Sequence, residues 1–148
     1  VRAGDDGFTL TELVVALAVV AVLMSIGVVM YGRAVQLADD VDTQLDLVTA
    51  SKVQALHHLE EGEFSTDHDV LRALEPNIGY SLDGHPLGTV VVAIEEGREN
   101  RDVCLFALSR SGTWHSLYHS TFAGNLYGTS EPVPCSPGNV ASWSRDPW

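Results

Sequence analysis

Few residues in this chain have the types and spacing to do chemistry. Gly7, Phe8 and Glu12 stand together in the run G-F-T-L-T-E, directly ahead of a long apolar stretch. A carboxylate at the edge of such a stretch costs a few kcal/mol unless something pairs with it. The only two cysteines, Cys104 and Cys135, lie late in the sequence. Asp39-Asp40-Val41-Asp42 is acidic but lacks the D-x-D-x-D-G spacing and the distal glutamate of a calcium loop, so it reads as a solvated helix face. His57 and His58 are adjacent and diverge on a helix, and His68 is near them in sequence only. His115 and His119 share one face of a strand, with no carboxylate or cysteine at ligand spacing. No G-x-S-x-G, H-E-x-x-H or phosphate-cradling glycine loop occurs, and the serines and histidines have no triad spacing. The sequence therefore predicts no metal, no cofactor and no enzyme.

The element that carries Glu12 is the clearest in the chain. Residues 13–32 contain neither a charge nor a proline. About twenty residues at 1.5 Å each give roughly 30 Å of helix, the thickness of a bilayer's hydrocarbon core. A cleaved secretory signal would have a shorter apolar region and a small-residue site after it.

G-F-T-L-T-E followed by this run resembles the processing and anchor segment of type IV prepilins and of their relatives, the type II secretion pseudopilins. The resemblance implies cleavage between Gly7 and Phe8, N-methylation at Phe8, and an assembly role for Glu12. Cleavage there creates an α-amine where the lipid begins. A carboxylate and an ammonium attract far more strongly in low dielectric than in water. Glu12 of one subunit and the amine of a neighbour are then expected to set filament register. The implied partners are further copies of the chain and other pilins, prepilin peptidase, and a pilus assembly platform with its ATPase. The implied location is the inner membrane, single-pass with the head outside, and a surface filament after assembly. A pseudopilin is an alternative within the same class. A membrane-anchored extracytoplasmic binding domain that never polymerises is the alternative of a different class.

The domain reading is a leader over 1–7, the apolar half of a helix over 8–32, and an extracytoplasmic head over 33–148. Asp5 and Asp6 offset Arg2 in the leader, where the family's leaders are usually basic. The chain opens on Val1, so the leader is either truncated or begins at a valine-coded start. Arg2 and the uncleaved amine point to a cytoplasmic N-terminus. The net charge of −12, with only eight basic residues in 148, makes the head acidic, so no direct binding to nucleic acid or anionic lipid is expected.

The predicted fold is α+β: a long N-terminal helix, amphipathic in its second half, packed on a small antiparallel sheet, with a disulfide-closed C-terminal region. Val35, Ala38, Val41, Leu45, Val48, Ala55 or Leu56, and Leu59 recur at helical spacing and are the face expected under the head. Asp39, Asp40, Asp42, Asp46, Lys52 and Glu60 form the opposite side, and Gly62 is the expected C-cap. Only Gly27 could bend the apolar half. A short helix is expected within 63–76, capped by Ser65 or Thr66, with Val70, Leu71 and Leu74 inward and Pro76 ending it. Strands are expected over 79–82, 89–94, 103–108 and 113–119, with turns at Asp83-Gly84 and Ser111-Gly112. Residues 121–148 read as loop. Beyond a membrane anchor, Cys104 and Cys135 suggest one disulfide tying that loop back to a strand. In the window from Gly128 to Asn139 Glu131 is the one carboxylate, which argues against a pseudopilin-like calcium loop.

Overall fold

The computed structural model describes residues 9–81, 87–94 and 101–148. The Gly7–Phe8 bond, the rest of the leader and the Asp83-Gly84 turn lie outside the described residues. The chain divides into two units, Val1–Gln36 and Leu37–Trp148. Helix α1 (Leu10–Glu61) supplies all the described secondary structure of the first unit and opens the second. It ends as the sequence predicts. Gly62 takes φ +85° and its N–H reaches the carbonyl of His58 at 2.9 Å, a conformation that favours glycine.

The second unit is α+β. Helix α2 (His68–Leu74) and strands β1 (Gly79–Tyr80), β2 (Thr89–Ala93), β3 (Asp102–Leu108), β4 (Trp114–Ser120) and β5 (Gly124–Gly128) follow α1 in order. The strands form one sheet in sequence order. From β2 to β5 every pairing is antiparallel, as predicted for β2–β3 and β3–β4. β1 instead runs parallel to β2, Gly79 beside Thr89 and Tyr80 beside Val90, so the sheet is mixed. Parallel neighbours ordinarily need a long crossover.

β5 lies in the region expected to be loop. Its Asn125-Leu126-Tyr127 core is short, and glycines bound it on both sides. What makes it a strand is a long-range ladder: Leu117 faces Tyr127 on one side, and Ser144 bridges Tyr127 on the other.

The largest departure from expectation concerns which face of α1 meets the sheet. The buried residues are Thr43, Leu47, Ala50, Ser51, Val53 and Gln54. Leu47, Ala50 and Val53 join Val90, Val103, Leu105 and Leu117 in one core cluster. Of the aliphatics expected there, Val48 packs against this cluster, but others point away: Val41 is 53% exposed, Leu45 59% and Leu59 83%. The buried face has its own helical period, disguised by polar residues that satisfy themselves locally. Thr43 Oγ1 donates to the Asp39 carbonyl at 2.9 Å, and Ser51 Oγ to that of Val48 at 2.8 Å. Gln54 bonds the backbone of Ser65 in both directions, Nε2 donating at 2.7 Å and Oε1 accepting at 3.0 Å, which folds the connector onto the helix.

In α2 the cap is Asp67 rather than Ser65 or Thr66. Asp67 Oδ1 accepts from the N–H groups of Asp69 and Val70, while Ser65 Oγ accepts the N–H of Asp67 itself. A charged acceptor at the helix N-terminus outcompetes a hydroxyl for that place. Only Leu71 of the expected trio is buried; Val70 and Leu74 stay exposed.

β3 is central and buried on both faces. Val103, Leu105 and Ala107 face α1, whereas Cys104 and Phe106 join Val91, Tyr118, Cys135 and Val140 in a second cluster. The Cys104–Cys135 disulfide, with Cα atoms 5.5 Å apart, anchors the closing segment across that second face. On the helix side a polar clamp does the equivalent. Ser109 Oγ and Ser111 Oγ each donate to Asp40 Oδ1 at 2.5 Å, tying the β3–β4 turn to α1. These two hydroxyls, Ser109 first, hold the Asp40 carboxyl below the usual carboxylate range.

Two consequences are measurable. Cys135→Ser is expected to lower head stability by about 2–5 kcal/mol in denaturant unfolding, through a loop that spans 31 residues. Two freely alkylated thiols in the unreduced protein would contradict the bridge. The second concerns acid. Because the folded-state pKa of Asp40 lies below its unfolded value, its contribution is complete above the ordinary carboxylate range and fades as pH falls through the depressed value. Asp40→Asn keeps an acceptor but not the charge, so its unfolding midpoint is expected to fall less steeply with acid than the wild type's. Parallel pH profiles would remove Asp40 from the account of acid stability.

Candidate assembly site

Glu12 occupies the first turn of α1 and is already engaged. The Thr9 backbone N–H donates to Glu12 Oε2 at 2.9 Å and Thr9 Oγ1 donates to the same oxygen at 2.8 Å. In return the Glu12 N–H reaches Thr9 Oγ1 at 3.2 Å. This is a reciprocal capping box, with Thr9 as N-cap and Glu12 at the third helical position. The spacing T-L-T-E carries that signal in the sequence, and the sequence reading missed it. Glu12 Oε1 has no hydrogen bond among the described residues. The carboxylate therefore caps its own helix with one oxygen and presents the other.

Behind Glu12, residues 13–32 are exposed along their whole length. α1 is the one described helix long and apolar enough to cross a membrane. Its Ser25 hydroxyl bonds back to the Val22 carbonyl at 2.7 Å, so even this polar group is compatible with lipid. Gly27 continues the helix, and a Cβ there would meet nothing within 4 Å. In the second unit the face of α1 turned from the sheet carries Val41, Leu45, Leu56 and Leu59, all exposed.

The one grouping that resembles an enzyme's is Asp40, Ser109 and His115, which sequence could not join across seventy residues. His115 is buried, with Nε2 at 3.6 Å from Asp40 Oδ1 and Nδ1 at 3.5 Å from Gln44 Nε2. Both serine protons go to Asp40, and neither serine bonds the imidazole among the described residues. A nucleophile needs its base within hydrogen-bond reach. This arrangement is a clamp, not a triad. No group of three or more His, Cys, Asp or Glu able to hold a metal occurs among the described residues.

Of the residues singled out in the sequence, Cys104 and Cys135 are brought together and Glu12 is placed at the helix start, while Gly7 and Phe8 lie outside the described residues. No curated protein matches the chain. A family described as the prokaryotic N-terminal methylation motif matches residues 2–28. That motif is the prepilin-type cleavage and methylation signal of type IV pilins and pseudopilins, and the N-terminal segment of the chain carries it.

Proposed function

We propose that the chain is a structural subunit, major or minor, of a type IV pilus-like filament, cleaved at Gly7–Phe8, methylated at Phe8 and assembled from the inner membrane. The observation that carries this reading is the outward aliphatic face of Val41, Leu45, Leu56 and Leu59. A plain anchor needs about twenty apolar residues. It gives no reason to keep large aliphatics in water over the next turns, where each half-exposed side chain forgoes about 1 kcal/mol of further burial. Side-by-side packing of α1 helices in a filament supplies the missing cover. The disulfide favours a pilin over a pseudopilin, on the resemblance of its placement.

Glu12 fits the same reading. Its free Oε1 is available to the Phe8 amine of a neighbour, and the pair cancels two burial costs at once. The Thr9 cap keeps the carboxylate satisfied before assembly, so insertion into the membrane does not depend on the neighbour.

Processing is tested by mass spectrometry of the cellular protein, which should find an N-methylated Phe8 as first residue. Gly7→Ala should still be cleaved in part and Gly7→Val should not, since a pocket shaped to a small residue excludes a branched one. Uncleaved chain in assembled filaments would sink the claim. Assembly is tested by two variants scored for sheared surface filaments against the membrane pool. Glu12→Ala and Leu45→Gln should each cut filament yield sharply with the membrane pool unchanged. Leu45→Gln should shift head stability by no more than about 0.5 kcal/mol, as an exposed substitution does. Wild-type yield from both would leave a membrane-anchored, non-polymerising domain as the better account.

A further inference from the structure

On the second unit an open cleft of about 500 Å³ lies between β5 and the closing segment of the chain. Its volume is in the range of small-ligand sites. Three aromatic rings line it: Tyr127, Trp143 and Trp148. Each is held in place. Trp148 Nε1 donates to the Gly128 carbonyl at 2.6 Å, and the Trp148 ring meets Tyr127 edge to face, centroids 4.9 Å apart. Trp143 meets Phe106 edge to face at 6.0 Å. Gly128 makes room for Trp143, since a Cβ there would lie 2.8 Å from the indole ring. These rings are fixed before any ligand arrives, which lowers the entropic cost of binding.

Part of the polar lining is uncommitted. The hydroxyls of Thr129 and Ser142 and the carboxylate of Asp146 are exposed and have no hydrogen-bond partner among the described residues. The Asp146 backbone is pinned by its N–H to Ser144 Oγ at 2.9 Å, which fixes where the carboxylate starts. An acidic head and a carboxylate in the cleft disfavour phosphate or any other anion. An ammonium cage closes aromatic faces around a compact cation, whereas this cleft is open and edged by hydroxyls. A pyranose has one apolar C–H face to lie on an aromatic ring and a rim of hydroxyls to bond Ser, Thr and Asp.

We infer that this cleft binds a saccharide ring, stacked on the Tyr127–Trp143–Trp148 surface and held by Asp146, Ser142 and Thr129. Binding belongs to the single subunit, so it stands or falls independently of filament assembly.

The test uses the full chain in a polyoxyethylene detergent, because a sugar-headed detergent would compete. Glucose, galactose, mannose, N-acetylglucosamine and N-acetylgalactosamine are each offered singly, with choline as the cationic probe, and saturation-transfer NMR reads contact. At least one sugar should receive saturation, strongest on the protons of one ring face. Asp146→Ala should weaken that binding about tenfold, the worth of a hydrogen bond to a charged group. Thr129→Val with Ser142→Ala should weaken it comparably, at an unchanged melting temperature, since all three side chains are exposed. No transfer to any of these sugars, transfer to choline alone, or transfer indifferent to both variants would overturn the inference.

Discussion

Twenty consecutive uncharged residues on the surface of a helix cannot remain in water. Roughly 25 cal/mol per Å² of apolar surface drives residues 13–32 into lipid or against other helices. The rest of the structure follows from that demand. The helix has to begin with a group tolerable at the lipid edge, so its first turn closes on Thr9 and Glu12. It has to lead into a folded head without spending its aliphatics there. That second requirement is visible in which residues of α1 the sheet receives.

The sheet side of α1 takes the small residues Thr43, Ala50 and Ser51 together with Leu47, Val53 and Gln54. The hydroxyls of Thr43 and Ser51 bond to their own helix, so neither is stranded. The core's bulk comes from the strands instead: valines of β2, Val103 and Leu105 of β3, Leu117 of β4. Val41, Leu45, Leu56 and Leu59 remain on the outside as a result. A helix with aliphatics on one face and small or polar residues on the other is amphipathic in the ordinary sense. Here the orientation is the reverse of a surface helix on a water-soluble domain.

Periodicity identified this helix and its end but could not orient it. Both faces of α1 repeat at helical spacing, and hydropathy prefers the aliphatic one. Which face is buried depends on the space above a sheet that the helix sequence does not contain. The anchor, the Gly62 cap, β2 to β4 and the cysteine pair were legible because each is signalled by nearby residues or by cysteine chemistry. β5, the parallel β1 and the Asp40 clamp were not, because each rests on partners tens of residues away: Tyr127 on Leu117 and Ser144, Gly79 on Thr89, Asp40 on Ser109 and Ser111. At Glu12 the residue was legible without its local bond, although T-x-x-E is the spacing of that cap.

The two clamps divide the mechanical task of holding the head on its helix. The disulfide joins β3 to the closing segment on the face away from α1, and Asp40 joins the β3–β4 turn to α1 on the other. A covalent bond suits the first place, where the closing segment has little regular structure of its own and must be kept from fraying. Hydrogen bonds to a charge suit the second, because a helix–sheet contact already packed by Leu47 needs its register fixed more than its strength increased. His115 lies beside that clamp, buried against Trp148 with Nε2 3.6 Å from Asp40 Oδ1. The Asp40 clamp fixes the β3–β4 turn against α1 in the rotation that turns Val41 and Leu45 outward.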